Sequence, residues 1–128
     1  MSVESAIHYA EWRLPGEAAP EGEIDPRWQA IIEVGEYVET DPEPVWLFVA
    51  RWGRSGDADL RTAIATCVLE HLLEHHFELI FPRVEQAVST SRDFADCFSL
   101  TWPFGQTELP LNRARFDALK ASISAPAR

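Results

Sequence analysis

Cysteine is close to missing from this chain: among 128 residues only Cys67 and Cys97 carry a thiol. Two thiols so far apart exclude a disulfide-framed scaffold and fit a reducing cytoplasm, the expected location. No apolar run approaches the ~18 residues that argue for a membrane-spanning helix, so no span is expected. The opening MSVESAIHYAEW has neither a basic leader nor an apolar stretch, so export by signal peptide is not expected. Lysine is represented by Lys120 alone, and the ten arginines form no cluster. Direct binding to nucleic acid or anionic lipid, which needs Lys/Arg clusters to neutralise phosphates, is therefore disfavoured. The six glycines are scattered and form no phosphate-cradling loop, and no G-x-S-x-G nucleophile elbow occurs.

What the chain does have is apolar residues and acid. Hydrophobic residues make up 46%, including five Trp and seven Phe, enough for one domain, 1–128, to bury roughly two thirds of its unfolded surface. The net charge is −10. Residues 1–44 hold eleven acids and two bases, a net of −9, whereas the remaining 84 hold ten acids and nine bases, a net of −1. The excess thus sits in the first third, and segment 1–24 is expected to be acidic and loosely attached. Such a surface favours a basic protein as partner.

Periodicity predicts an all-α fold, a compact bundle of five to seven helices. Val3 to Leu14 has Ile7, Ala10, Glu11 and Leu14 at helical spacing, and Pro15-Gly16 stops it. Asp25-Pro26 pairs an N-cap with proline in the first turn, starting a helix to about Thr40 with Trp28, Ile31, Ile32, Gly35 and Val38 inward. Pro44 opens the next helix, which Gly53 and Gly56 end. Asp57 or Asp59 caps the longest and central helix, residues 57–81, which is apolar on most sides. Pro82 limits or kinks it. Further helices are expected at 83–89, at 93–100, and from Asn112 through Ile123. Phe98–Phe104 is ambiguous between helix and strand.

The helix from Pro44 to Gly53, a short turn, and then Asp57-Ala-Asp-Leu-Arg61-x-Ala63-x-Ala65 together resemble a HEAT-type helical hairpin over residues 44–76. In such repeats an Asp near the turn and an Arg early in the second helix tie neighbouring hairpins together. The resemblance implies hairpin stacking and protein binding. No second copy occurs at the ~40–47-residue period of such arrays. The rest of the chain, including FADCFSLTWPFGQ, resembles small bacterial proteins of the immunity or inhibitor kind.

One motif points to chemistry. His71-x-x-Glu74-His75 matches the H-x-x-E-H string of inverted zinc peptidases, in which two histidines at i, i+4 share a zinc and the glutamate activates water. The resemblance ends at these three residues, since only 53 residues follow His75 where those enzymes place a third ligand much further on. Cys67, His71, His75 and Cys97 form a second conceivable ligand set. However, Cys67 and His75 are ~12 Å apart along a helix, too far to share one ion with His71. The residues instead predict packed, half-buried imidazoles bonded to an acid or a carbonyl, with His76 near the surface. No metal, cofactor or catalytic residue is expected. The leading expectation is a non-enzymatic, protein-binding inhibitor or immunity protein that neutralises a basic toxin or nuclease. Its expected contact surface is Glu33, Glu36, Glu39, Asp41 and Glu43, with Trp46 and Trp52 as aromatic anchors. A metal-dependent hydrolase using His71, Glu74 and His75 is one alternative, and a structural subunit or homodimer is the other.

Overall fold

A computed structural model describes residues 2–124, so Met1 and residues 125–128 of the single domain lie outside the description. Every regular element among the described residues is helical. The helices are α1 (Val3–Arg13), α2 (Pro26–Gly35), α3 (Pro42–Trp52), α4 (Ala58–Ile64), α5 (Glu70–Thr90), α6 (Arg92–Ser99) and α7 (Pro110–Ser124). A π-helical turn, Ala65–Leu69, joins α4 to α5, so the two form one long central rod. The all-α bundle around one such rod is the architecture expected from the sequence.

Helix starts follow from side chains that satisfy the first free N–H groups. Ser2 accepts from the Ser5 backbone, Asp25 from Arg27, Asp57 from Asp59 and Ser91 from Phe94. Pro26 and Pro42 occupy first-turn positions where a missing N–H costs nothing. Helix α3 therefore begins at Pro42, two residues before the expected Pro44. Its proline also pushes Asp41 out of helical geometry, to φ −133 and ψ 59. This helps explain why α2 does not reach Thr40. Beyond Gly35 the bonds shorten to i−3, with Glu36 donating to Glu33 and Val38 to Gly35. Ile32 is a second correction. Arg27, Ala30, Ile31, Val34 and Val38 define the covered face of this region, and Ile32, a further 100° around α2, is 40% exposed.

Segment 1–24 is not loose along its first half. Val3, Ala6, Ala10 and Leu14 are buried on one face of α1, and the two alanines let α1 pack closely on α2. The central rod also departs from its expected end. It passes through Pro82 and stops at Thr90, absorbing the helix expected at 83–89. Pro82 and Glu78 lie on the exposed side, where water can solvate the carbonyl that proline leaves without a donor. The break falls instead at His76, with φ −140 and ψ 49. The region 98–104 resolves as the end of α6 followed by loop, and the last helix begins at Pro110 rather than Asn112.

The core is one cluster. Phe77 stacks on Phe81 with centroids 4.6 Å apart, Phe81 meets Phe98 edge-on, and Phe98 meets Phe116 likewise at 5.2 Å. This aromatic line joins α5, α6 and α7, contributing directional contacts beyond simple burial. A polar knot secures the other end. Arg27, only 4% exposed, bonds Asp25, Asp57 and Asp59 at 3.0–3.2 Å, and so locks the start of α2 to the start of α4. Arg61 reaches Asp93 and Asp96 on α6 and the carbonyl of Ser55.

Candidate functional site

The H-x-x-E-H segment lies in the first two turns of α5, directly after the π turn, a distortion often found near functional sites. His71 Nδ1 is bonded to Glu74 Oε1 at 2.8 Å, while His75 Nε2 lies 3.8 Å from the same oxygen. His71 Nε2 is 3.7 Å from Glu70 Oε2. Both imidazoles are half-buried, and His76 Nε2 donates to the carbonyl of Glu39. Among the described residues no group of three or more His, Cys, Asp or Glu side chains is arranged to hold a metal ion.

What this face of α5 holds is a piece of the same chain. The N–H of Trp102 donates to the Glu70 carboxylate at 3.1 Å. The ring of Phe104 stacks on His71, centroids 5.9 Å apart and planes 11° from parallel. Gly105 sits so near Glu74 that a Cβ would lie 2.6 Å from its Cγ, and its φ of +52 is one that glycine adopts without strain. Gln106 donates to the carbonyl of His75 at 2.7 Å and accepts from the N–H of Phe77 at 2.9 Å. One side chain thereby takes over two backbone groups at the break beside His76, the insertion that kinks a helix. Glu70, only 6% exposed, is an acid placed in the interior. Burial pushes its carboxyl above the usual range, while the Trp102 N–H works against that shift. The Gln106 clamp had no sequence signal, because a glutamine in a loop looks solvated.

The cysteines are placed as small apolar groups. Burial pushes the Cys97 thiol up to about 12, and its Sγ faces the Arg61 carbonyl. Burial also raises the Cys67 thiol. Neither is disposed to form the thiolate that a nucleophile requires.

The acidic positions divide. Glu36 and Glu39 are exposed, Glu33 and Asp41 half-buried, and Asp41 accepts from the Thr40 hydroxyl at 2.8 Å. Glu43 is held in a two-pronged pair by Arg83, at 2.7 and 2.9 Å, which keeps its carboxyl below the usual range. Of the two tryptophans, Trp46 is 7% exposed and packs edge-on against Phe94, so it is a core residue and not an anchor. Trp52 is half-buried under the Arg51 guanidinium, and its Nε1 is buried without a hydrogen-bond partner among the described residues.

Sequence reasoning missed a groove of about 450 Å³ between the 18–25 loop and α2. Ile24, 76% exposed, Ile32 and Trp28 give it an apolar floor, and Glu21 and Glu23 rim it. The Trp28 indole is fixed by donation to Asp59 at 3.0 Å. Only the amphipathic spacing of α2 hinted at this site, and the expected placement of Ile32 in the core concealed it. Comparison with family models, with curated proteins and with solved structures yields no match to this chain.

Proposed function

We propose that this protein is a non-enzymatic binding protein that recognises a basic protein partner through the acidic surface of its first third, in the manner of an inhibitor or immunity protein. One contrast supports this. Of the ten acids after residue 44, seven lie within ion-pair distance of an arginine: Asp57, Asp59, Glu78, Glu85, Asp93, Asp96 and Asp117. Of the eleven acids in residues 1–44, only Glu11, Asp25 and Glu43 are so paired among the described residues. Arg27, Arg51, Arg61, Arg83, Arg113 and Arg115 are thus engaged by acids of the same chain, and uncompensated acidic charge gathers on α2 and the segments flanking it. Glu33, Glu36 and Glu39 carry it at the α2–α3 corner, and Glu21 and Glu23 in the preceding loop.

Unpaired surface charge adds little to stability but steers encounter. It raises the association rate of an oppositely charged protein over a range set by the ~8 Å screening length at physiological salt. Buried apolar contacts then lengthen the residence time. No helix among the described residues is long and apolar enough to cross a membrane. The test begins by capturing partners from host extract at low and high salt, with the product of the adjacent gene assayed directly as bait. Association is then followed with the purified partner. The expected result is a basic partner whose on-rate falls tenfold or more as salt rises, and falls again in Glu33→Gln/Glu36→Gln/Glu39→Gln with little change in off-rate. A neutral or acidic partner, or an on-rate indifferent to salt, would sink the proposal.

A further inference from the structure

From the groove between the 18–25 loop and α2 we infer a docking site for an extended or helical segment of the partner that presents an apolar side chain flanked by Arg or Lys. This inference rests on the proposed function and gives it a place. Three observations carry it. The floor combines Ile24 and Ile32, both exposed, with the half-buried ring of Trp28, an apolar surface that water covers unless a partner does. Among the described residues no basic side chain lines the groove. Arg27, adjacent in sequence to the lining residue Trp28, is buried and saturated by three aspartates. Glu21 and Glu23 on the rim, and Glu33 and Glu36 further along α2, have no ion-pair partner among the described residues. An apolar floor rimmed by the free carboxylates of Glu21 and Glu23, with Glu33 and Glu36 further along the helix, complements a segment that is greasy in the middle and positive at its edges.

The geometry also limits ordering on binding. Trp28 is already oriented by its bond to Asp59, and α2 is anchored at its first turn by the Asp25–Arg27 pair. A preformed aromatic wall of this kind is a common centre of binding energy. Because the whole protein is acidic, any cationic peptide will associate weakly with it. The apolar contribution must therefore be isolated from the charge.

The experiment uses two labelled synthetic peptides of equal charge, one alternating leucine with arginine and the other serine with arginine, titrated against the full chain by fluorescence anisotropy at low salt. The leucine peptide is expected to bind about tenfold tighter, the discrimination that burial of a leucyl side chain supplies. That advantage should vanish in Ile24→Ser/Ile32→Ser, whose substituted residues are exposed and whose helical circular dichroism and melting should match the parent. Glu21→Gln/Glu23→Gln should weaken both peptides. Equal binding of the two peptides, or a leucine preference that survives in Ile24→Ser/Ile32→Ser, overturns the groove while leaving the acidic surface standing. Failure of both peptides to bind at low salt overturns the groove and the proposed function together.

Discussion

Replacing Arg27 with methionine is the most informative perturbation of the fold, because one buried guanidinium joins two helix starts. Methionine retains most of the aliphatic stem, so the change removes charge and hydrogen bonds more than packing. Breaking a fully buried ion pair costs about 3–5 kcal/mol, chiefly because the abandoned charge stays desolvated. Here the side chains of Asp57 and Asp59 are about half exposed and can hydrate when released, whereas Asp25 stays largely covered. Discounting for the two exposed partners leaves a loss of about 2–3 kcal/mol. For a domain of this length that lowers Tm by roughly 6–15 °C.

The pH dependence sharpens this. Hydrogen bonding to Arg27 holds the Asp25 carboxyl below its ordinary value. Burial alone would raise Asp57, but the Asp59 N–H and Arg27 outweigh it and the net shift is downward. Carboxyls depressed in the folded state bind more protons when unfolded, so their contribution is present above about pH 4 and disappears as pH falls through the folded values. The gap between parent and Arg27→Met should therefore be wide at neutral pH and narrow at about pH 3. Urea denaturation followed by circular dichroism measures both points. A loss under about 1 kcal/mol at neutral pH, or one that does not shrink in acid, would refute the account of the knot.

Other regions respond in ways that separate clamp from bystander. Gln106→Ala should cost about 1–2 kcal/mol by stranding the Phe77 N–H and the His75 carbonyl, and Gln106→Glu should recover only the acceptor half; chemical denaturation checks both. Cys97, its thiol pushed up to about 12 by burial, should resist iodoacetamide in the native protein and react once urea exposes it, as mass spectrometry of the alkylated peptide would show.

Where local chemistry decides structure, the sequence was legible. Asp25-Pro26, and Asp57 or Asp59, marked helix starts because a short acceptor before a helical run has one main use, and the structure settles the second on Asp57. The apolar wrap of 57–81 placed the central rod. Its far end was misjudged because proline breaks a helix reliably only where the freed carbonyl is buried, and Glu78 and Pro82 are exposed. The kink at His76 depends on Gln106, thirty positions away, and no local pattern encodes it. The same limit applied to the candidate surface. Glu33, Glu36 and Glu39 could be named from charge alone, but the capture of Glu43 by Arg83 and the burial of Trp46 depend on how α3 packs against α5 and α6. Ile32 looked like a core residue until the fold left it outside.

The claim on which everything else leans is that recognition belongs to the outer face of α2 and the loop before it, while the imidazole-bearing face of α5 seats the chain's own 102–106 segment. An amide and indole chemical-shift map of the ¹⁵N-labelled protein during titration with the leucine–arginine peptide tests it most directly. The largest shifts should fall at Ile24, the Trp28 indole, Ile32, Glu33 and Glu36. Shifts centred on His71, Glu74, His75 and the Trp102–Gln106 segment would contradict it.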